Sequence, residues 1–342
     1  MKKYLDIWTA EKVNNANLTR EDIDKYQLEK LKETFKMATA KSPYYAELYK
    51  DCRLGSMEDF KKLPFTTPAD VCEHGLDMLC VPQGEISRIV TMDTSGTTGK
   101  PKRIYFTEAD QELTVDFFHH GMKLIVDETD VFMILMPCQR PGSIGVLLKE
   151  ALERSGVKVV PYGLPNGQDT DEILKIMEGE SVTSCVALAT QLVSIAEKAM
   201  EYNTSGKPLN IPMRSVLLSA EYISEENRRI ISAAWDCRIF EHYGMTEMGL
   251  GCAVHCPELD GCHIRETDLY IEIIDPETGK VLPDGEEGEI VFTTLTRKGM
   301  PFIRYRTGDW SSIMKGSCKC GSVLKRLTRV GDRGLKKGGQ NG

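Results

Sequence analysis

From residue 130 to 244 the chain repeats one alternation: a short unbroken apolar run, then a longer segment with apolar residues on one face. "DVFMILMP", "VKVVPYG", "SCVALA", "SVLLSAE" and "CRIFEHYG" are the short runs, and "GVLLKEALERSG", "TDEILKIMEGE", "QLVSIAEKAMEY" and "EENRRIISAAW" lie between them. An apolar run without polar alternation is a strand covered on both faces, and an amphipathic segment between two such runs is a crossover helix. The repeat therefore predicts βαβ units and a mainly parallel sheet. Ligands of such sheets sit beyond the carboxyl ends of the strands. Two polar clusters fall there, "SAEYI" at 219–223 and "HYGMTEMG" at 242–249.

The flanks read differently. Residues 19–41 are expected to be helical, opening with Thr19 and Asp22 in capping-box spacing and presenting Ile23, Tyr26, Leu31 and Phe35 on one face. "FKKLPFTTPADV" (60–71) reads as a connector punctuated by Pro64 and Pro68. After 260, "DLYIEIIDPETGKVLPDGEEGEIVFTTL" has β-type runs separated by Pro and Gly turns, which predicts a small antiparallel subdomain. The expected organisation is an α/β core over 1–260, a β-rich subdomain over 261–330, and a hinge remnant with a flexible tail over 331–342.

Composition matters for what it excludes. A formal net charge of −8 argues against general nucleic-acid or membrane-surface binding, though not against a nucleotide substrate. No run approaches the roughly 18 apolar residues of a membrane span, and the first residues lack the apolar core of a secretory signal. A cytoplasmic location is expected. Eleven cysteines then read as thiols or metal ligands rather than disulfides.

"TSGTTGKPK" (94–102) is the densest chemical feature. It lacks Walker A spacing, because only Thr97 and Thr98 separate Gly96 from Gly99 and Pro101 follows Lys100. Its logic is still that of an anion cradle. Gly96 and Gly99 allow successive N–H groups to converge on an oxyanion, Thr94, Ser95, Thr97 and Thr98 offer hydroxyls, and Lys100 and Lys102 add positive charge. The same residues also suit a solvated turn between two strands, since "RIVTM" precedes and "KRIYFT" follows.

Taken with "SAEYI", "YGMTE" (243–247) and "YRTGD" (305–309), which follow in order, the loop resembles the phosphate-loop signature of the adenylate-forming enzymes. "KLKETFKMATAKSPYYAELY", "KKLPFTTPAD", "IEIIDPETGKVLPDGEEGE" and "GEIVFTTLTRKGMPFIRYRTGD" are similar to the phenylacetate-CoA ligase and coenzyme F390 synthetase branch, and the resemblance spans roughly residues 20–333. It implies the large N-terminal domain of the acyl-CoA synthetase-like fold. It also implies ATP-dependent activation of a carboxylic acid, aryl or related, to an acyl-adenylate, with CoA as co-substrate and Mg²⁺ as the ATP counter-ion.

Residue by residue, the resemblance assigns the loop to the β- and γ-phosphates, with Lys100 near the reacting centre. Ala220, Glu221 and Tyr222 would pass along the adenine, and Tyr243 and Gly244 would flank it, Tyr243 by stacking. Thr246 would contact the α-phosphate, Glu247 would hold Mg²⁺, Asp309 would accept from both ribose hydroxyls, and Arg333 would lie at the hinge. A carboxylate only accepts and so suits a diol, and Mg²⁺ prefers hard oxygen ligands. The acid pocket is expected near His119, His120, Pro137 to Ser143 and Glu241 to Met248.

"HCPELDGCH" (255–263) and "CKC" (318–320) flank the β subdomain. Cys256, His263, Cys318 and Cys320 make a Cys₃His set, a usual structural zinc composition, with Cys252, His255 and Cys262 as competing donors. The resemblance supports the set, although the branch pattern is Cys-Pro-Cys-Gly and this chain has Cys-Lys-Cys-Gly.

Members of the branch continue into a mobile C-terminal domain that brings a lysine to the α-phosphate. "VGDRGL" departs from the usual hinge pattern, and neither Lys336 nor Lys337 occupies a matching position. A separately encoded C-terminal domain is one expected partner, and a homodimer another. Two further functions stay open at this point: a non-catalytic or regulatory ATP-binding protein, and an F390 synthetase-like adenylyltransferase.

Overall fold

The computed structural model describes residues 4–92, 101–219, 221 and 223–331. They fall into two compact units. The first draws on Met1–Leu113, Thr246–Cys252 and His263–Gly342, the second on Thr114–Met245 and Ala253–Cys262.

The first unit opens with helices α1 (Tyr4–Val13), α2 (Arg20–Lys41), α3 (Pro43–Leu48), α4 (Met57–Phe60) and α5 (Pro68–His74). Helix α2 begins where its capping box predicts: the Thr19 side chain accepts from Asp22 N–H, and Asp22 accepts from the Thr19 N–H in return. Its buried face differs from the expected stripe. Ile23, Gln27, Leu31, Thr34 and Ala38 are buried, whereas Tyr26 and Phe35 are only half-buried. The two polar residues are tolerated because each finds a carbonyl, Gln27 donating to Glu266 (2.9 Å) and Thr34 to Leu295 (3.1 Å). The stretch expected to be a connector holds a helix start. Thr67 and Asp70 form a capping box with Pro68 at the first helical position, so this proline opens α5.

Strands β1 (Ile86–Met92) and β2 (Lys102–Thr107) pair antiparallel, with Met92 opposite Lys102 at the end nearest the connecting residues. Helix α6 (Glu108–Met122) then takes the chain into the second unit.

There the elements follow the predicted repeat: β3 (Val131–Ile134), α7 (Ile144–Glu153), β4 (Lys158–Pro161), α8 (Thr170–Gly179), β5 (Ser184–Ala187), α9 (Ala189–Thr204), β6 (Ser215–Ser219), α10 (Glu225–Trp235), β7 (Arg238–Tyr243) and β8 (Ala253–His255). Their spatial order is β8-β7-β6-β5-β3-β4, parallel except for the antiparallel β7–β8 edge. Met133, Cys185 and Val216 from the sheet and Ile173, Leu192 and Ile231 from helices form one buried cluster. Gly156, at φ +76°, ends the α7 segment in a conformation that glycine adopts without strain.

Strand β9 (Cys262–Ile264) returns to the first unit, which closes with β10 (Leu269–Ile274), β11 (Gly288–Thr294) and β12 (Tyr305–Ser311). These three make the predicted antiparallel sheet. The Phe292, Phe302 and Tyr305 rings meet with centroids 5.1 to 5.8 Å apart. Beside them Arg304, 2% exposed, forks onto Glu272 with two 3.1 Å bonds and donates to the Lys61 and Leu63 carbonyls, both 2.7 Å. With its charge paired and several donors used, this arginine can stay buried.

Candidate active site

Glu247 sits in a one-turn 3₁₀ helix, Thr246–Met248, and is 1% exposed. Its carboxylate forms an ion pair with Lys102 Nζ at the start of β2. Tyr305, at the start of β12, donates its hydroxyl to Glu247 Oε1 at 3.0 Å. Burial and the Glu247 charge hold the Tyr305 proton far above the ordinary tyrosine range, so this phenol is a donor at any working pH. Arg297 fixes the backbone below, donating to the Glu247 carbonyl (2.8 Å) and the Tyr105 carbonyl (2.7 Å) while its guanidinium lies 4.3 Å over the Phe106 ring. Burial pulls Arg297 below its ordinary value, partly offset by Asp110 and Glu247. Residues from three of the four quoted motifs, Lys102, Glu247 and Tyr305, thus converge on one oriented carboxylate.

Lys102 and Tyr305 both approach Oε1 among the described residues. A single hard oxygen ligand of this kind fits a magnesium ion that arrives with phosphates, because that ion usually takes only one or two protein carboxylates.

Asp309 lies on β12 four residues beyond Tyr305. The strand is braced from β11: Glu289, fully buried, accepts from Arg306 Nε (3.0 Å) and from the Gly308 N–H (3.1 Å). Thr307 donates to the Ile290 carbonyl (2.8 Å) and accepts from the Asp309 N–H (3.0 Å). Gly308 takes φ +84°, which lets the strand turn at this point.

In the second unit, Tyr243 ends β7 and pairs with Ala253, with half-buried Gly244 following. Glu221 follows β6 and caps α9, accepting from Thr190 N–H (3.0 Å) and Thr190 Oγ1. An apolar cleft lies between α6 and the sheet, lined by residues that include Phe118, Met122, Met136, Ser219 and His242. His242 falls in the expected pocket range. His119 and His120 do not line the cleft: His119 Nδ1 lies 3.2 Å from the Ala151 carbonyl and 3.0 Å from Ser155 Oγ, and Nε2 lies 2.8 Å from Lys123 Nζ. His120 faces Asp116 at 3.5 Å. The residues of 137–143 do not line the cleft either, although Met136 and Ile144 on either side do.

Thr94, Ser95, Gly96, Thr97, Thr98, Gly99, Lys100, Ala220, Tyr222 and Arg333 lie outside the described residues.

All eleven cysteines are free thiols, so none of the expected metal donors is committed to a disulfide. In the first unit His263, Cys318 and Cys320 come together, with donor atoms within 4.8 Å of one another. Cys320 Sγ is 3.5 Å from His263 Nε2. Two thiols and an imidazole, mostly buried, fit a tetrahedral zinc better than a hard cation. Cys256 belongs to the second unit.

Three residues carry no mark in the sequence, Tyr305 and Arg297 of the first unit and His242 of the second. Tyr305 is the first letter of "YRTGD", and its reach to Glu247 has no local signal. Arg297 is an isolated cation in "TLTRKG", and only its burial singles it out. His242 lay inside a quoted cluster without a separate role. No helix among the described residues is long and apolar enough to cross a membrane.

A family described as AMP-binding enzyme matches residues 58–295. The phenylacetate-coenzyme A ligase of Pseudomonas putida is 29% identical over 316 residues, covering 90% of this chain and 70% of that protein. That of Escherichia coli (strain K12) is 26% identical over 323 residues, covering 92% of this chain and 71% of that one. Among solved structures, an open conformation of 2-hydroxyisobutyryl-CoA ligase in complex with 2-HIB-AMP and CoA superposes with TM-score 0.81 at 21% identity, over 92% of this chain and 70% of that one. A long-chain-fatty-acid-CoA ligase from Archaeoglobus fulgidus gives 0.53 at 19% identity, over 72% and 52%. The fold is that of the adenylate-forming CoA ligases.

Proposed function

The chain belongs to the AMP-binding enzyme family, and from this we propose that it activates a carboxylic acid with ATP and passes the acyl group to CoA. The substrate is aryl or related, as the names of the phenylacetate-coenzyme A ligases suggest. The observation that carries the reading is the buried Glu247 carboxylate, oriented by Lys102 and Tyr305 within a family match that spans most of the chain.

The acid carboxylate attacks the α-phosphorus, forming the acyl–phosphate anhydride as the bond to pyrophosphate breaks. The CoA thiolate then attacks the acyl carbon, forming the thioester and releasing AMP. No side-chain nucleophile is required, so the protein acts by positioning and charge neutralisation.

The loop from Thr94 to Lys102 grips the β- and γ-phosphates. Thr246 meets the α-phosphate, Tyr243 stacks on adenine, the chain at 220–222 passes along the base, and Asp309 accepts from the ribose hydroxyls. Glu247 would hold Mg²⁺, which neutralises phosphate charge when bound. Residues 1–260 bind ATP and acid, 261–330 complete the nucleotide site, and 331–342 correspond to the hinge segment. A structural zinc is held by His263, Cys318 and Cys320, with Cys256, shortly before His263 in the chain, as the fourth donor. Reduced thiols throughout favour the cytoplasm.

The test is acid-dependent ATP–pyrophosphate exchange with the purified chain, followed by mass detection of the CoA thioester. Exchange with an aryl acid is expected. No exchange with any acid, either alone or with an added C-terminal domain, sinks the reading.

A further inference from the structure

The cleft of the second unit holds about 30 Å³ of water-accessible space behind walls that are apolar except at two side chains, Ser219 and His242. Met122 and Met136, unbranched and flexible, are the walls that yield to a larger body. The His242 ring meets Phe118 edge-on, with centroids 6.1 Å apart. Nδ1 lies 3.1 Å from Ser219 Oγ. Nε2 is buried and has no hydrogen-bond partner among the described residues.

Burial alone moves His242 down to about 4, so the ring is neutral at physiological pH. A neutral imidazole offers one N–H and one lone pair. If Ser219 donates to Nδ1, Nε2 carries the proton and donates; if Ser219 accepts from the Nδ1–H, Nε2 is left as an acceptor. A ligand hydroxyl, which both donates and accepts, satisfies Nε2 in either tautomer. A second carboxylate would meet no cation here, because no lysine or arginine lines the cleft.

Resting on the acid-activating reading above, we infer that His242 determines specificity. It selects an acid whose apolar body carries a neutral hydroxyl over the bare hydrocarbon acid and over a dicarboxylic acid. The physical basis is asymmetric: leaving a buried donor or acceptor unpaired is costly, whereas the apolar walls accept either body.

The test uses acyl-sulfamoyl adenosines, stable stand-ins for the acyl-adenylate, titrated calorimetrically into the purified full chain. The set is two matched pairs, phenylacetyl with its ring-hydroxylated forms and isobutyryl with its hydroxylated form, plus succinyl and the bare sulfamoyl adenosine. At least one hydroxylated compound should bind about tenfold or more tightly than its parent, and succinyl no more tightly than the bare nucleoside. His242→Leu should equalise the pairs without weakening the parents, and His242→Gln, which keeps a hydrogen-bonding group, should retain part of the preference. Matching melting temperatures for the three proteins exclude misfolding.

Equal binding within both pairs overturns the inference, as does a preference that survives His242→Leu. So does a uniform loss across all acyl compounds in that variant, which would assign the ring to the carbonyl that all acids share. If the nucleoside compounds bind at all, those outcomes leave the proposed function intact. If none binds, the proposed function falls and this inference with it.

Discussion

Glu247 is placed by a cation, a phenol and, through its backbone, a guanidinium, and each partner is fixed in turn by its own element. Lys102 belongs to the first pair of β2, and Tyr305 is wedged between Phe292 and Phe302. Neither partner has to be ordered when ATP binds, so the entropy of organising the carboxylate is already spent. Tyr305→Phe keeps the ring packing and removes only the donor. Exchange with the preferred acid should fall about tenfold or more in kcat/KM while the melting temperature changes little. Undiminished exchange would show that Tyr305 has no part in positioning Glu247.

At the scale of elements, α5 depends on its first turn. Thr67 accepts from the Asp70 N–H, Asp70 accepts from the Thr67 N–H and hydroxyl, and Pro68 presets the backbone between them. Thr67→Ala should cost about 1 kcal/mol, read as a lower urea midpoint with an unchanged slope, and a midpoint equal to wild type would refute it. That capping box is written in the sequence but masked there, because two prolines within five residues read as connector punctuation. Where burial follows periodicity the elements were legible: every strand of the repeat from Val131 to Tyr243 appears where its apolar run lies. The buried face of α2 was not legible, because Gln27 and Thr34 are inside only by virtue of carbonyls more than 200 residues away, at Glu266 and Leu295. The functional residues of each unit divide in the same way. Motif spacing marks Glu247 and Asp309, whereas Tyr305 and Arg297 in the first unit and His242 in the second act through tertiary contacts that leave no local pattern.

For the molecule as a whole, the proposed zinc would fix the Cys318–Cys320 turn of the first unit to β9, where His263 sits. Elemental analysis of purified protein should find about one zinc per chain. Stripping it with a strong chelator should lower the melting temperature by several degrees, because the metal binds only the folded ligand set. Metal-free protein whose melting is indifferent to chelator would remove zinc from the account. The first unit is also assembled from three stretches of chain, while the second is nearly one continuous run. That arrangement sets an order of events during synthesis. All of β3 to β7 have left the ribosome before Tyr305 is made, so the parallel sheet can form while the first unit still lacks β12. Lys102 and Tyr305 lie 145 and 58 residues from Glu247, and contacts of such separation form late. The nascent chain can therefore hold one folded unit beside an unfinished one, and the carboxylate at Glu247 acquires its full set of partners only after Tyr305 has been made.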